Sequence, residues 1–293
     1  MAEPICIVPA GDWTGEGATW HAAENALYWV DIGRFLVHRF DPASASVRSW
    51  FFPEPPAALA LTDRADTLLV ALGGRVILWQ PANDARAEFV HPEKNWPQTR
   101  MNDGRADPAG NFWVGSMRYE MPDDAAGRVA GRLFRVTPNG SVSVEKTGIG
   151  ISNTLCWSPD AKLFYFGDTD RNAISVWDYD AAAGTIANER PFFTGYERGG
   201  PDGSAMDSAG YLWNARFGGG CVVRVAPNGK VDRVVEMPVP NVTTCAFGGP
   251  DLKTLYITSA RGGTGSALRL SGGLFSLAVD VPGTPENHFR LAK

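Results

Sequence analysis

The chain has 293 residues, 44% hydrophobic and 20% charged, which is ample material for a folded core. No apolar run approaches the ~18 residues a spanning helix needs, and the opening MAEPICIV lacks the basic start and apolar stretch of a cleaved leader, so a cytoplasmic protein with no membrane partner is expected. With 27 basic and 32 acidic residues, a net charge of −5 and no basic block, a nucleic-acid partner is not expected either.

The 33 Gly and 21 Pro interrupt the chain too often for long helices, and the intervals are rich in Trp, Phe, Tyr, Val and Thr, so the class read from composition is all-β. In chain order, short apolar strands are predicted at LYWVD from Leu27, LLVAL from Leu68, FWVGS from Phe112, FYFGD from Phe164, LWNAR from Leu212 and LYITS from Leu255. Their spacings are 41, 44, 52, 48 and 43 residues. Turn-like clusters (AAEN, DPAG, SPDA, DSAG, GPDLK) precede all but the second, and most are followed by another apolar segment. A strand-turn-strand unit returning six times at 40–50 residues predicts an all-β, six-bladed β-propeller. A β-sandwich or jelly roll has no need of such a period. No linker interrupts the series, so one domain is expected over residues 1–293. Cys6, Cys156, Cys221 and Cys245 lie far apart and read as buried small hydrophobes in a reducing compartment.

Equivalent repeats place equivalent residues around the channel. Ten or eleven positions before each anchor stand Glu16, Ala57, Asn102, Asn153, Asp202 and Thr244. Four of the six are acids or amides. Any one alone could be a turn former, but their shared register predicts convergence on one axis, where unneutralised carboxylates are costly. Glu16 and Asp202, with a neutral oxygen from Asn153, suit one divalent cation: Ca²⁺, Mg²⁺, Mn²⁺, Zn²⁺ or Fe²⁺. Loops after the anchors should share that mouth. They carry Arg34, Arg75, Arg118, Glu120, Asp168, Arg171, Arg216 and Arg261, with Arg100 just ahead of Asn102, and so predict a polar, partly anionic ligand.

The segments TGEGATW, RMNDGRADPAGNFWVGSM, ISNTLCWSPD, PDGSAMDSAGYLW and TTCAFGGPDLKTLYITSAR resemble the gluconolactonase/regucalcin (senescence marker protein) family, most of all bacterial sugar-lactone hydrolases. The resemblance implies a six-bladed propeller with one channel metal, ligated here by Glu16, Asn153 and Asp202, and substrate contacts from Arg100, Asn102 and Glu120. It also implies metal-dependent opening of an aldonolactone to its aldonic acid. Two positions depart from the family pattern: Ala18 replaces a common Pro, and Thr154 replaces the Gly that usually follows the ligand Asn.

In the implied mechanism the cation either polarises the ester carbonyl or makes hydroxide available from a water, Asp202 takes the water proton, and Arg100 and Asn102 orient the ring oxygens. Arg118, Arg171, Arg216 and Arg261 are further candidates to bind substrate, favouring an anionic sugar-acid lactone. The alternatives are a non-catalytic propeller binding calcium or a partner and an organophosphorus ester hydrolase on the same scaffold. A serine nucleophile is disfavoured because no GxSxG occurs and His21, His38, His91 and His288 fall off the axial register. Aromatics are expected to pack between blades, the reading preferred even for a few at the mouth, such as Trp13 or Phe217, for which stacking on a sugar face is the alternative.

Overall fold

The turn clusters fold as their residues dictate. Asp107 accepts hydrogen bonds from the Asn111 backbone N–H (2.7 Å) and the Trp113 indole N–H (2.7 Å). Two repeats on, Asp207 does the same for Tyr211 (3.0 Å) and Trp213 (3.0 Å). Gly110 and Gly210 complete these turns at φ +90° and +83°, a region that an L side chain enters only with strain. Each buried aspartate thereby fixes the entry of the strand that follows.

The computed structural model describes residues 3–119, 130–262 and 268–292. Six antiparallel sheets follow one another along the chain. Their inner strands are Gly15–His21, Pro56–Thr62, Thr99–Ala106, Ser152–Trp157, Gly200–Met206 and Val242–Gly248, numbered here as blades 1 to 6. Each packs against the next, and the sixth against the first, closing the six-bladed propeller predicted from the repeat. The anchor segments are the second strands: Ala26–Asp31, Leu68–Leu72, Phe112–Arg118, Leu163–Asp168, Leu212–Phe217 and Thr254–Ser259. Blade 6 takes its outermost strand, Ile5–Val8, from the start of the chain, paired to Leu274–Ala278. Among the described residues no helix is long and apolar enough to cross a membrane.

Burial falls from the axis outward. The inner strand of blade 1 is buried throughout, whereas its outer strand Ser46–Phe51 buries only Trp50. The apolar faces meet between blades, as where Val30, Leu59, Val70, Val114 and Phe134 share one cluster. Such burial is worth about 25 cal/mol per Å² of apolar surface and is the main force holding neighbouring blades together.

All six inner strands carry a pairing irregularity near the start, between Glu16/Thr19, Pro56/Ala58, Met101/Gly104, Asn153/Cys156, Pro201/Ser204 and Val242/Cys245. Each is one residue longer than the stretch it faces, which makes it a β-bulge that breaks the alternation of side chains and re-aims them. The bulges coincide with the axial positions read from the sequence.

At the opposite end the C-terminal segment lies across the channel. Thr284 N–H donates to the Met206 carbonyl (3.0 Å), Asn287 Nδ2 to the Ala106 carbonyl (3.2 Å), and His288–Phe289 pairs parallel to the inner strand of blade 2. Arg105 reaches down to Glu286 (3.7 Å). What remains between them is a cavity of about 30 Å³, room for a water or two.

Candidate active site

A cavity of about 270 Å³ opens where the inner strands begin, smaller than the roughly 300–1,000 Å³ of sites for drug-sized ligands. Its polar lining is Thr14, Glu16, Arg100, Asn102, Asn153, Thr169 and Asp202, and its apolar lining includes Trp13, Ile32, Met117, Ile151, Phe217 and Ala260. All four acidic and amide positions predicted from the register therefore meet in one place. Ala57 and Thr244 are buried in their strands.

Glu16 and Asp202 are both buried, with their carboxyl groups in hydrogen-bonding contact. Glu16 is pushed up to about 8, first by burial and then by the charge of Asp103. Asp202 is raised well above the usual carboxylate range by burial and by Glu16. Asp202 Oδ1 is buried with no hydrogen-bond donor.

Asn153 is held by its neighbour in the lining, Thr169. Its Nδ2 donates to Thr169 Oγ1 (2.8 Å), which in turn donates to the Pro201 carbonyl (2.7 Å). That chain commits the amide nitrogen and fixes Asn153 Oδ1, which accepts from Asn102 Nδ2 (3.1 Å). Arg100 Nη1 donates to Asn102 Oδ1 (2.9 Å) and to the Met101 carbonyl (2.8 Å). Burial lowers the Arg100 pKa, so its remaining N–H groups sit in a site where hydrogen bonds to an oxygen ligand are strengthened.

Asp103 went unassigned from sequence, where Asn102-Asp103-Gly104 reads equally well as a turn. It is raised by its own burial and lies close enough to raise both Glu16 and Asp202. The bulge explains the omission: counting one axial residue per blade assumes strict alternation, and the extra residue lets Asn102 and Asp103 both turn inward.

The donor set fits a divalent cation. An orphaned carboxylate oxygen, a second carboxyl touching it and a pre-oriented amide oxygen are hard oxygen donors of net charge −2 when ionised. Among the described residues no three His, Cys, Asp or Glu side chains form a metal cluster, so Asn153 is the third donor such a site would use.

The expected arginine rim is different. Arg216 is not a solvated loop residue: it is 1% exposed, lies in a second strand, and donates to the carbonyls of Arg198, Tyr196 and Gly199 and to Asn172 Oδ1. Burial lowers it to about 10. Arg34 pairs with Asp12 and Asp31, Arg75 with Glu54 and Glu88, and Arg171 with Asp168. Arg118 ends a strand, Arg261 is exposed beyond one, and neither lines the cavity. Glu120 lies outside the described residues. A larger groove of about 570 Å³ beside Arg233 and Glu236 is a surface trough far from these groups.

A sequence profile described as SMP-30/Gluconolactonase/LRE-like region matches residues 14–261, more than four-fifths of the chain. The chain belongs to the SMP-30/gluconolactonase family. Among its relatives, this family member is 38% identical to pentonolactonase XacC of Haloferax volcanii over 93% of both chains. It is 36% identical to a 6-deoxy-6-sulfogluconolactonase of Pseudomonas putida over 97% of both. Its fold superimposes on a calcium-binding protein, regucalcin, from Agrobacterium tumefaciens with a TM-score of 0.91 at 31% identity, covering 98% and 97% of the two chains.

Proposed function

We propose that this chain hydrolyses a sugar (aldono-) lactone to the aldonic acid, using one divalent cation held by Glu16, Asn153 and Asp202. The observation that carries the reading is the buried contact between Glu16 and Asp202 with Asp202 Oδ1 lacking a donor, an oxygen that a proton shared by the pair leaves unsatisfied and a cation would satisfy. The names of the relatives support the substrate class, since both enzymes cited above are lactonases.

When bound, the cation supplies Lewis acidity at the lactone carbonyl and stabilises charge developing there. Asp202 accepts the proton of the attacking water. Arg100 and Asn102, already hydrogen-bonded to each other, present donors to the ring and hydroxyl oxygens, and Glu120 is the third expected substrate contact. The test is removal of metal with a chelator, proof of depletion by elemental analysis, and add-back of Ca²⁺, Mg²⁺, Mn²⁺, Zn²⁺ or Fe²⁺ while proton release from a lactone is followed. Full turnover by depleted protein sinks the proposal. Cation binding without turnover of any lactone supports the non-catalytic calcium- or partner-binding alternative, and turnover of a phosphotriester alone supports the organophosphorus one.

A further inference from the structure

Among the described residues, the mouth of the cavity is aromatic and apolar where a cationic rim was expected. Trp13 is 55% exposed and Phe217 36% exposed, yet both line the cavity. Large apolar side chains gain by burial, and an exposed indole on a loose loop would fold down onto the surface. Trp13 is prevented from doing so. Its backbone N–H donates to Asp31 Oδ2 (3.0 Å) and its backbone carbonyl accepts from Gly262 N–H (2.8 Å). Two glycines flank the ring: a Cβ on Gly33 would lie 2.2 Å from Trp13 Cδ1, and one on Gly262 3.0 Å from Nε1. The indole is clamped while more than half of it stays in solvent.

Among the described residues lining the cavity, the only cation is Arg100, and it is tied to Asn102 at the polar end. Three carboxyls, Glu16, Asp103 and Asp202, lie in or just below that end. An anionic substituent away from the ester would find no cationic partner among the apolar side chains described at the mouth. A neutral lactone ring has an apolar C–H face suited to an aromatic plane and a hydroxylated edge suited to Arg100 and Asn102.

We propose that Trp13, with Phe217 completing an aromatic rim, determines specificity by stacking on the ring of a neutral lactone and that anionic lactones are disfavoured. The inference rests on the lactonase reading above. The experiment compares kcat and KM for neutral pentono- and hexonolactones and for a hexonolactone carrying a sulfonate at C6. These are measured in wild type, Trp13→Ala, Trp13→Phe and Gly33→Ala, with bound metal and thermal melting as controls. Wild type should favour the neutral lactones. Trp13→Ala should raise their KM roughly 3–10-fold with metal content and most of kcat retained, and Trp13→Phe should recover most of the loss. Gly33→Ala keeps the indole but displaces it, and should raise KM in the same direction. Unchanged KM in Trp13→Ala, or a wild-type preference for the sulfonate, overturns the inference. Binding of a non-hydrolysable aldonolactam, followed by calorimetry, separates the two readings. Trp13-dependent lactam binding without turnover of any lactone retires the lactonase proposal and leaves the stacking site. Turnover with Trp13-independent binding does the reverse.

Discussion

Thr154 is the place where local conformation and the candidate site are most directly linked. It follows Asn153 at φ +53° and is fully buried. A β-branched residue in that region is an outlier, costing about 1–2 kcal/mol against an ordinary backbone. Its hydroxyl compensates by donating to the Asp202 carbonyl, meeting Ser204 Oγ (2.9 Å) and accepting from Asn214 Nδ2 (3.2 Å). One side chain thus ties the bulge of blade 4 to that of blade 5. Three substitutions separate strain from bonding. Thr154→Ser keeps the bonds and removes one methyl, worth at most about 0.8 kcal/mol. Thr154→Val keeps the strain and volume but strips the hydroxyl from a buried node, costing about 1–3 kcal/mol. Thr154→Gly releases about 1–2 kcal/mol of strain, loses the same node at about 1–3 kcal/mol and adds about 0.5–1 kcal/mol of backbone entropy, so it should lie between about 0.5 kcal/mol stabilised and about 3 kcal/mol destabilised. Urea unfolding of the holoprotein measures all three, and kcat reports whether Asp202 has shifted. The order expected is serine nearest wild type and valine clearly below it, with kcat falling in valine and glycine alike. Valine as stable and active as wild type, or glycine more stable than wild type by over about 1 kcal/mol, would refute the reasoning.

Chelated protein should lose stability as pH rises. Glu16 holds its proton in the fold to about 8 against an ordinary 4.5, so its contribution is complete below 4.5 and is lost on the way to 8; melting curves across that range should show the decline, and Glu16→Gln should flatten it. Asp202→Asn should keep part of the cation affinity by calorimetry while kcat falls ~10²–10⁴-fold; wild-type turnover with metal bound would remove Asp202 as the base. Arg216→Ala should destabilise the fold by roughly 2–4 kcal/mol, because it leaves several buried oxygens without donors, yet leave the ratio of neutral to anionic lactone turnover unchanged, which thermal melting and paired kinetics check.

The sequence showed the propeller through its period, because each blade repeats the same burial problem and the same turn chemistry, as Asp107–Trp113 and Asp207–Trp213 illustrate. Glu16, Asn102, Asn153 and Asp202 were legible for a related reason: equivalent strand starts must reach the same axis, and an acid there is conspicuous against Ala57. Arg216 was misplaced because loop and strand end differ by one residue, and strand periodicity alone does not say whether a guanidinium faces solvent or the backbone carbonyls between two blades. Asp103 was missed because bulges are invisible to a counting rule that assumes alternation.

The strap formed by the C-terminal segment gives the channel a floor. A tube with one door imposes an order of traffic: whatever is made inside must back out before the next molecule can enter. On the proposed reading, opening a neutral lactone leaves behind an acid, so the departing molecule carries a charge that the arriving one lacked. The blind geometry therefore makes the entrance the exit as well, so release of one molecule and admission of the next cannot overlap.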